Sequence, residues 1–153
     1  MKQFFGKHRG SVVSNIDPLN LGRLQVSVPD VLGDVFSWAM PCVPYAGPTL
    51  GLVVIPPMGA SIWVEFEGGN PDKPIWTGCF WGPGQFPVEA LPNVHVLKTP
   101  AVTITIDPTG FSVTHGTAAL TVSATGIAIA NGTAEISVLT PTVSINQGAL
   151  EVT

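Results

Sequence analysis

AVTITIDPTGFSVTHG (101–116), TAALTVSATGIAIANG (117–132) and TAEISVLTPTVSINQG (133–148) are three consecutive sixteen-residue repeats, and ALEVT (149–153) opens a fourth. Each unit closes on a glycine: Gly116, Gly132, Gly148. The fourth and sixth positions are apolar (Ile104 and Ile106, Leu120 and Val122, Ile136 and Val138), and so are the eleventh and thirteenth (Phe111 and Val113, Ile127 and Ile129, Val143 and Ile145). Polar or small residues lie between them. Successive side chains of a strand point to opposite faces, so this alternation predicts strands with one buried face. Asp107-Pro108-Thr109-Gly110, Ser123-Ala124-Thr125-Gly126 and Leu139-Thr140-Pro141-Thr142 divide each unit into two octads, each a short strand and a turn.

About six and a half such strands, each with roughly two inward apolar side chains, make too thin a core to stand alone. A lone copy also leaves strand edges unpaired. Several copies wound about one axis remove both problems, with strands of neighbouring chains pairing along each face and the twelve apolar side chains meeting on the axis. The prediction is an intertwined homotrimeric β-helix or β-prism over 99–153; the alternative is an antiparallel meander within a single chain.

Composition divides the chain. All six Lys and Arg and every aromatic residue except Phe111 precede the repeats, and from Thr99 onward the only charges are Asp107, Glu135 and Glu151. Charged residues make up 10% of the whole, far below the usual quarter, and mean hydropathy is +0.40. A surface so poor in charge is expected to be covered by other subunits. A net charge of −4 without a basic cluster argues against nucleic acid as a partner. No apolar run is long enough to span a bilayer, and MKQFFGKHRG at the N-terminus has no signal-peptide core, so export would use another route. Cys42 and Cys79 are too few for a disulfide scaffold or a metal cage and are expected to be buried apolar thiols.

Residues 1–85 predict short strands punctuated by glycine and proline, with no amphipathic helix. Strands are expected over Phe4–Ile16, Leu21–Pro29 (Leu24, Val26 and Val28 on one face), Trp38–Met40, Leu52–Ile55, Ser61–Glu67 (Ile62, Val64 and Phe66 on one face) and Ile75–Trp81. Asp17-Pro18-Leu19-Asn20 is turn chemistry. Five or six short strands in this length fit a small closed barrel of the OB type. Arg23 is a candidate partner for Glu65 or Glu67, with a solvated face the alternative for all three. Trp38, Trp63, Trp76 and Trp81 are expected in the core and at subunit contacts rather than as a sugar platform. Residues 86–98 are expected to be linker and needle entry: Gly82–Pro92 is linker-like and rich in proline, and Val94–Lys98 is expected to start the needle.

Gly10-Ser11-Val12-Val13, Asp17-Pro18, Leu21-Gly22-Arg23, Val28-Pro29, Ser37-Trp38-Ala39, Pro44, Gly47, Gly51, Ile55-Pro56-Pro57-Met58-Gly59 and Val64-Glu65-Phe66-Glu67-Gly68-Gly69, followed by Pro71, Pro74 and Gly78, occur in that order. Over residues 6–82 this pattern resembles the phage baseplate assembly protein V family, which includes the OB domains of contractile-tail spikes and of VgrG-type proteins. The repeats resemble the β-helical needle that follows that domain. The resemblance implies a homotrimeric, membrane-puncturing spike: a virion component of a phage tail or a part of a contractile injection system, assembled in the bacterial cytoplasm and acting at the target cell envelope. It implies baseplate hub or tube proteins as partners at the barrel end. Peptidoglycan cleavage and the hub role are expected to belong to other chains.

Catalytic chemistry is not expected. His8, His95 and His115 form no His-x-His or His-x-x-x-His pair, and no phosphate loop, nucleophile elbow or dinucleotide fingerprint occurs, so neither metal nor cofactor is predicted. Three copies of His115 could meet on a threefold axis, but its place in the next two units is taken by Asn131 and Gln147, which points to a turn. Asp17, Asp30 and Asp34 fit turns better than paired-carboxylate catalysis. If each octad adds about 4.8 Å of axis, the repeats reach roughly 31 Å. The last layer, Gly148, Leu150, Val152 and Thr153, has no charged or proline-rich rung over it, and the resemblance implies a platform there for a PAAR-type tip protein. The competing expectation is an oligosaccharide-binding OB module on an adhesive β-stalk.

Overall fold

The computed structural model describes residues 2–87 and 91–152, without the side chain of Glu151. Thr153 of the expected tip platform, and 88–90 of the linker, lie outside the described residues. The chain is all-β and forms two compact units, Met1–Gln85 and Phe86–Thr153.

In the first unit the strands are β1 (His8–Ser14), β2 (Leu24–Ser27), β3 (Phe36–Pro41), the two-residue β4 (Ala46–Gly47) and β5 (Leu50–Gly51), β6 (Ser61–Phe66) and β7 (Pro74–Cys79). Five of them close a barrel in the order β1-β2-β3-β7-β6, as an OB-type domain requires. Every pairing is antiparallel except β3 with β7. Period-two alternation sets the inside: Leu24, Val26, Val28, Ala39, Ile62 and Val64 have no exposed surface, and Val12, Phe66 and Trp76 complete the core. The buried Trp76 indole donates Nε1–H to the Gly22 carbonyl at 3.2 Å, which satisfies its polar edge. A single helical turn, α1 (Pro29–Leu32), with Pro29 opening it, links β2 to β3.

Three expectations change here. Leu52–Ile55 is not a strand; β4 and β5 form a two-residue hairpin just before it, and beyond the bond from Leu52 N–H to the Tyr45 carbonyl no backbone hydrogen bond reaches it among the described residues. Cys42 and Cys79 are exposed, Cys42 just past the end of β3 and Cys79 at the last position of β7. Arg23 pairs with Asp17 rather than with Glu65 or Glu67, because the turn after β1 brings the carboxylate back beside it. Glu65 instead meets Lys7 at 2.7 Å, and Glu67 lies 3.9 Å from Lys73.

The Asp17 carboxylate organises that turn. It accepts hydrogen bonds from the backbone N–H groups of Leu19, Leu21 and Arg23, and Oδ1 takes both Nε (3.1 Å) and Nη2 (2.7 Å) of Arg23. The Arg23 guanidinium, with those N–H groups behind it, holds the Asp17 carboxyl well below the usual carboxylate range. Arg23 in turn lies over the Trp38 ring, 5.1 Å from its centroid.

The second unit is one eight-stranded sheet: β8 (His95–Lys98), β9 (Thr103–Asp107), β10 (Gly110–His115), β11 (Ala118–Ser123), β12 (Gly126–Asn131), β13 (Ala134–Leu139), β14 (Thr142–Ile145) and β15 (Leu150–Val152). Each strand pairs antiparallel with its neighbour in sequence, so the sheet is a meander. The octads thus differ from the intertwined arrangement expected of them. Two-residue turns return each strand from β10 to β14 directly onto the one before, and both edges of β9 to β14 are taken within the chain.

Glycine is required at two kinds of place in this sheet. Gly116 (φ 57°) and Gly132 (φ 63°) supply the positive φ that a two-residue hairpin needs at its first central position. Gly110 and Gly126 open β10 and β12, where a Cβ would collide with the carbonyl oxygens of Val122 and Val138 on the adjoining strand. The third unit departs from the pattern. A four-residue turn, 146–149, joins β14 to β15 and pairs Ile145 with Leu150, two residues out of step with the earlier hairpins. A two-residue slip leaves every side chain on its original face.

Candidate subunit interface

Directly opposed residues of an antiparallel pair project to the same side, so the register determines the face. One continuous line runs His95, Ile106, Phe111, Val122, Ile127, Val138, Val143, Val152. A second runs Leu97, Ile104, Val113, Leu120, Ile129, Ile136, Ile145, Leu150. All twelve expected core residues therefore stand in two adjacent columns on one side of the sheet. The opposite side carries Thr103, Thr105, Ser112, Thr114, Thr121, Ser137 and Ser144 with Ala119, Ala128 and Ala130.

The apolar columns are not covered within the chain. Ile129 is 56% exposed and Ile106 50%, and no described residue from 91 to 152 is buried. The small residues between them, such as Ala128 and Ala130, are less exposed than the isoleucines beside them. This inverts the usual order of burial and marks the face as one side of a missing layer. Leu150 (57% exposed) and Val152 (63%) end the two columns on β15 and belong to the same face, and Gly148 lies in the preceding turn.

Val94–Lys98, expected to begin the needle, carries β8, whose Leu97 and His95 extend the columns by one rung. His115 takes the last paired position before a turn, opposite Ala118, and Asn131 does the same opposite Ala134. The Asp107 carboxylate accepts from the Thr109 hydroxyl, and from the N–H groups of Thr109 and Gly110, which lowers its pKa and closes the first turn of the repeat. Among the described residues no group of three or more His, Cys, Asp or Glu side chains is placed to hold a metal, and no helix is long and apolar enough to cross a membrane.

Two family models match in succession. Residues 8–81 match the type VI secretion system/phage-baseplate injector OB domain, which spans the barrel strands. Residues 94–151 match the phage baseplate V C-terminal trimerisation domain, which spans the meander. The chain belongs to the baseplate V / VgrG-type family. A relative from Vibrio cholerae serotype O1, the actin cross-linking toxin VgrG1, is 36% identical over 75 residues. That stretch is 49% of this chain and 7% of the toxin, so the chain spans a small part of that relative's length. The trimerisation-domain match supports a homotrimer.

Proposed function

We propose that this protein is a central spike of a contractile tail or contractile injection system, acting by mechanical puncture and without catalysis. Three chains bring their apolar faces together, one meander per side, and the twelve column residues form the core of a β-prism needle. The observation that carries this is the uncovered two-column face inside a segment that matches a trimerisation domain. Cyclic closure of three copies removes that apolar area from water at about 25 cal/mol per Å2. Stiffness comes from uninterrupted strand pairing rather than from any reacting group. Eight successive strands at about 4.8 Å spacing give a wedge of roughly 34 Å, close to the thickness of a bilayer core.

In this reading the barrels join the needle to hub or tube proteins, the particle assembles in the bacterial cytoplasm, and the needle acts at the envelope of the target cell. The outer edge of β15 offers backbone groups on which a PAAR-type tip protein docks, together with Leu150 and Val152. The sugar-binding alternative has less support, since the four tryptophans have separate surroundings. Trp76 is in the core, Trp38 lies under Arg23, Trp63 packs on Phe80 with Arg9 above both, and Trp81 is 62% exposed. Cryo-electron microscopy of particles carrying a tagged copy of this chain tests the proposal. Density for the tag on the axis at the distal end of the tube is expected; density on side fibres or on the sheath would refute it.

A further inference from the structure

The barrel carries a second uncovered apolar feature, an arm formed by the β4–β5 hairpin and the extended segment after it. From Val35 to Val64 the chain has no Asp, Glu, Lys, Arg or His. Within this run Tyr45, Leu50, Leu52, Val53 and Val54 are 52–80% exposed. On its inner side the arm closes an apolar groove of about 340 Å3, with Leu21, Val43 and Trp76 in the wall. The backbone is equally unfinished. Leu52 N–H reaches the Tyr45 carbonyl at 3.0 Å, but among the described residues no hydrogen bond reaches the backbone of Val53, Val54 or Ile55. Leu52-Val53-Val54-Ile55, three of them β-branched, thus has strand composition, while its backbone beyond Leu52 has no hydrogen-bonding partner among the described residues.

We infer that the arm, residues 45–55, is a contact with the barrel of a second copy of this chain, and that the copy supplies the missing partner for Val53–Ile55. Three observations favour a copy over a foreign protein. A surface without charge over so long a run matches permanent interfaces rather than transient ones. The exposed side chains of Tyr45, Leu50, Leu52, Val53 and Val54 also line the groove, so arm and groove form one apolar surface of the kind that a closed ring of identical subunits covers on every copy. Residues 80–94 connect β7 to β8, so chains joined through their meanders hold their barrels at high effective concentration. The inference rests on the trimer proposed above.

Hydrogen exchange on the purified full-length protein, with its mass measured in parallel by light scattering, tests it. The amides of Val53, Val54 and Ile55 are expected to exchange about 100-fold or more slowly than in an unpaired chain. Val54→Asp is expected to return them to fast exchange, while the mass stays trimeric and the amides of Ile62 and Val64 stay protected. Fast exchange at 53–55 in a wild-type trimer overturns the arm contact and leaves the trimer standing, and so does protection that survives Val54→Asp. A wild-type monomer overturns the trimer itself, and the arm contact with it. Should Val54→Asp unfold the barrel, the wild-type exchange decides alone.

Discussion

The barrel and the meander use the same period-two alternation and reach opposite results. In the barrel, alternating residues of five closed strands face one another, and nine of them are buried within the chain. In the meander, alternating residues of eight strands face outward together, and none is buried. Alternation specifies a face; closure decides whether the chain can cover that face itself. A barrel closes within one chain, whereas a flat run of hairpins has no second layer unless another chain brings one.

The largest effect expected from breaking this contrast is at Ile129. Ile129→Asp would gather three carboxylates near one axis, where desolvation and mutual repulsion both oppose assembly. Loss of the trimer or aggregation is expected on sizing chromatography, and wild-type melting of that variant would show that the column does not face inward. Next is the barrel core: Ile62→Ala is expected to cost about 2–5 kcal/mol of barrel stability in denaturant unfolding while leaving the trimer mass unchanged. Loss of the trimer in that variant would mean that the two regions do not divide the work.

A smaller effect, on the order of 1–3 kcal/mol, is expected for Gly126→Ala, because the new methyl group meets the Val138 carbonyl at a positive φ. The cost should appear as lower thermal stability of the trimer. An unchanged melt would show that the opening of β12 has room to shift.

The smallest effect is at Asp17. Its pKa is lowered on folding, so its contribution is fully present above the unfolded value of about 3.9 and is lost as pH falls through the lower folded value. Asp17→Asn should therefore melt below wild type at pH 7, and the difference should shrink as pH falls below about 4. A difference that grew in acid would contradict the Arg23 pairing.

Much of this was legible in the residues themselves. Leu24, Val26 and Val28 and then Ile62, Val64 and Phe66 announced the two central walls of the barrel, and the sixteen-residue spacing placed twelve apolar side chains on one face. Strand partners were not legible. An octad says which side chains share a face but not whether its neighbour is the next octad or another chain, and the intertwined expectation failed on that ambiguity. Leu52–Ile55 has strand composition, yet a strand also needs an edge to pair with, which composition does not reveal. Arg23 had two acidic candidates in the sequence, Glu65 and Glu67, and only the folded turn placed Asp17, read there as a turn residue, within 2.7 Å of it. The exposed cysteines were misjudged because thiols are usually buried, whereas here both lie at strand ends.

The uncovered face of the meander is the centre of the proposal, and the mass of the full-length protein in solution tests it most directly. Multi-angle light scattering at micromolar concentration is expected to give three times the 15.9 kDa chain mass, unchanged in 1 M salt because the contact is apolar. A stable, monodisperse 15.9 kDa species would contradict it.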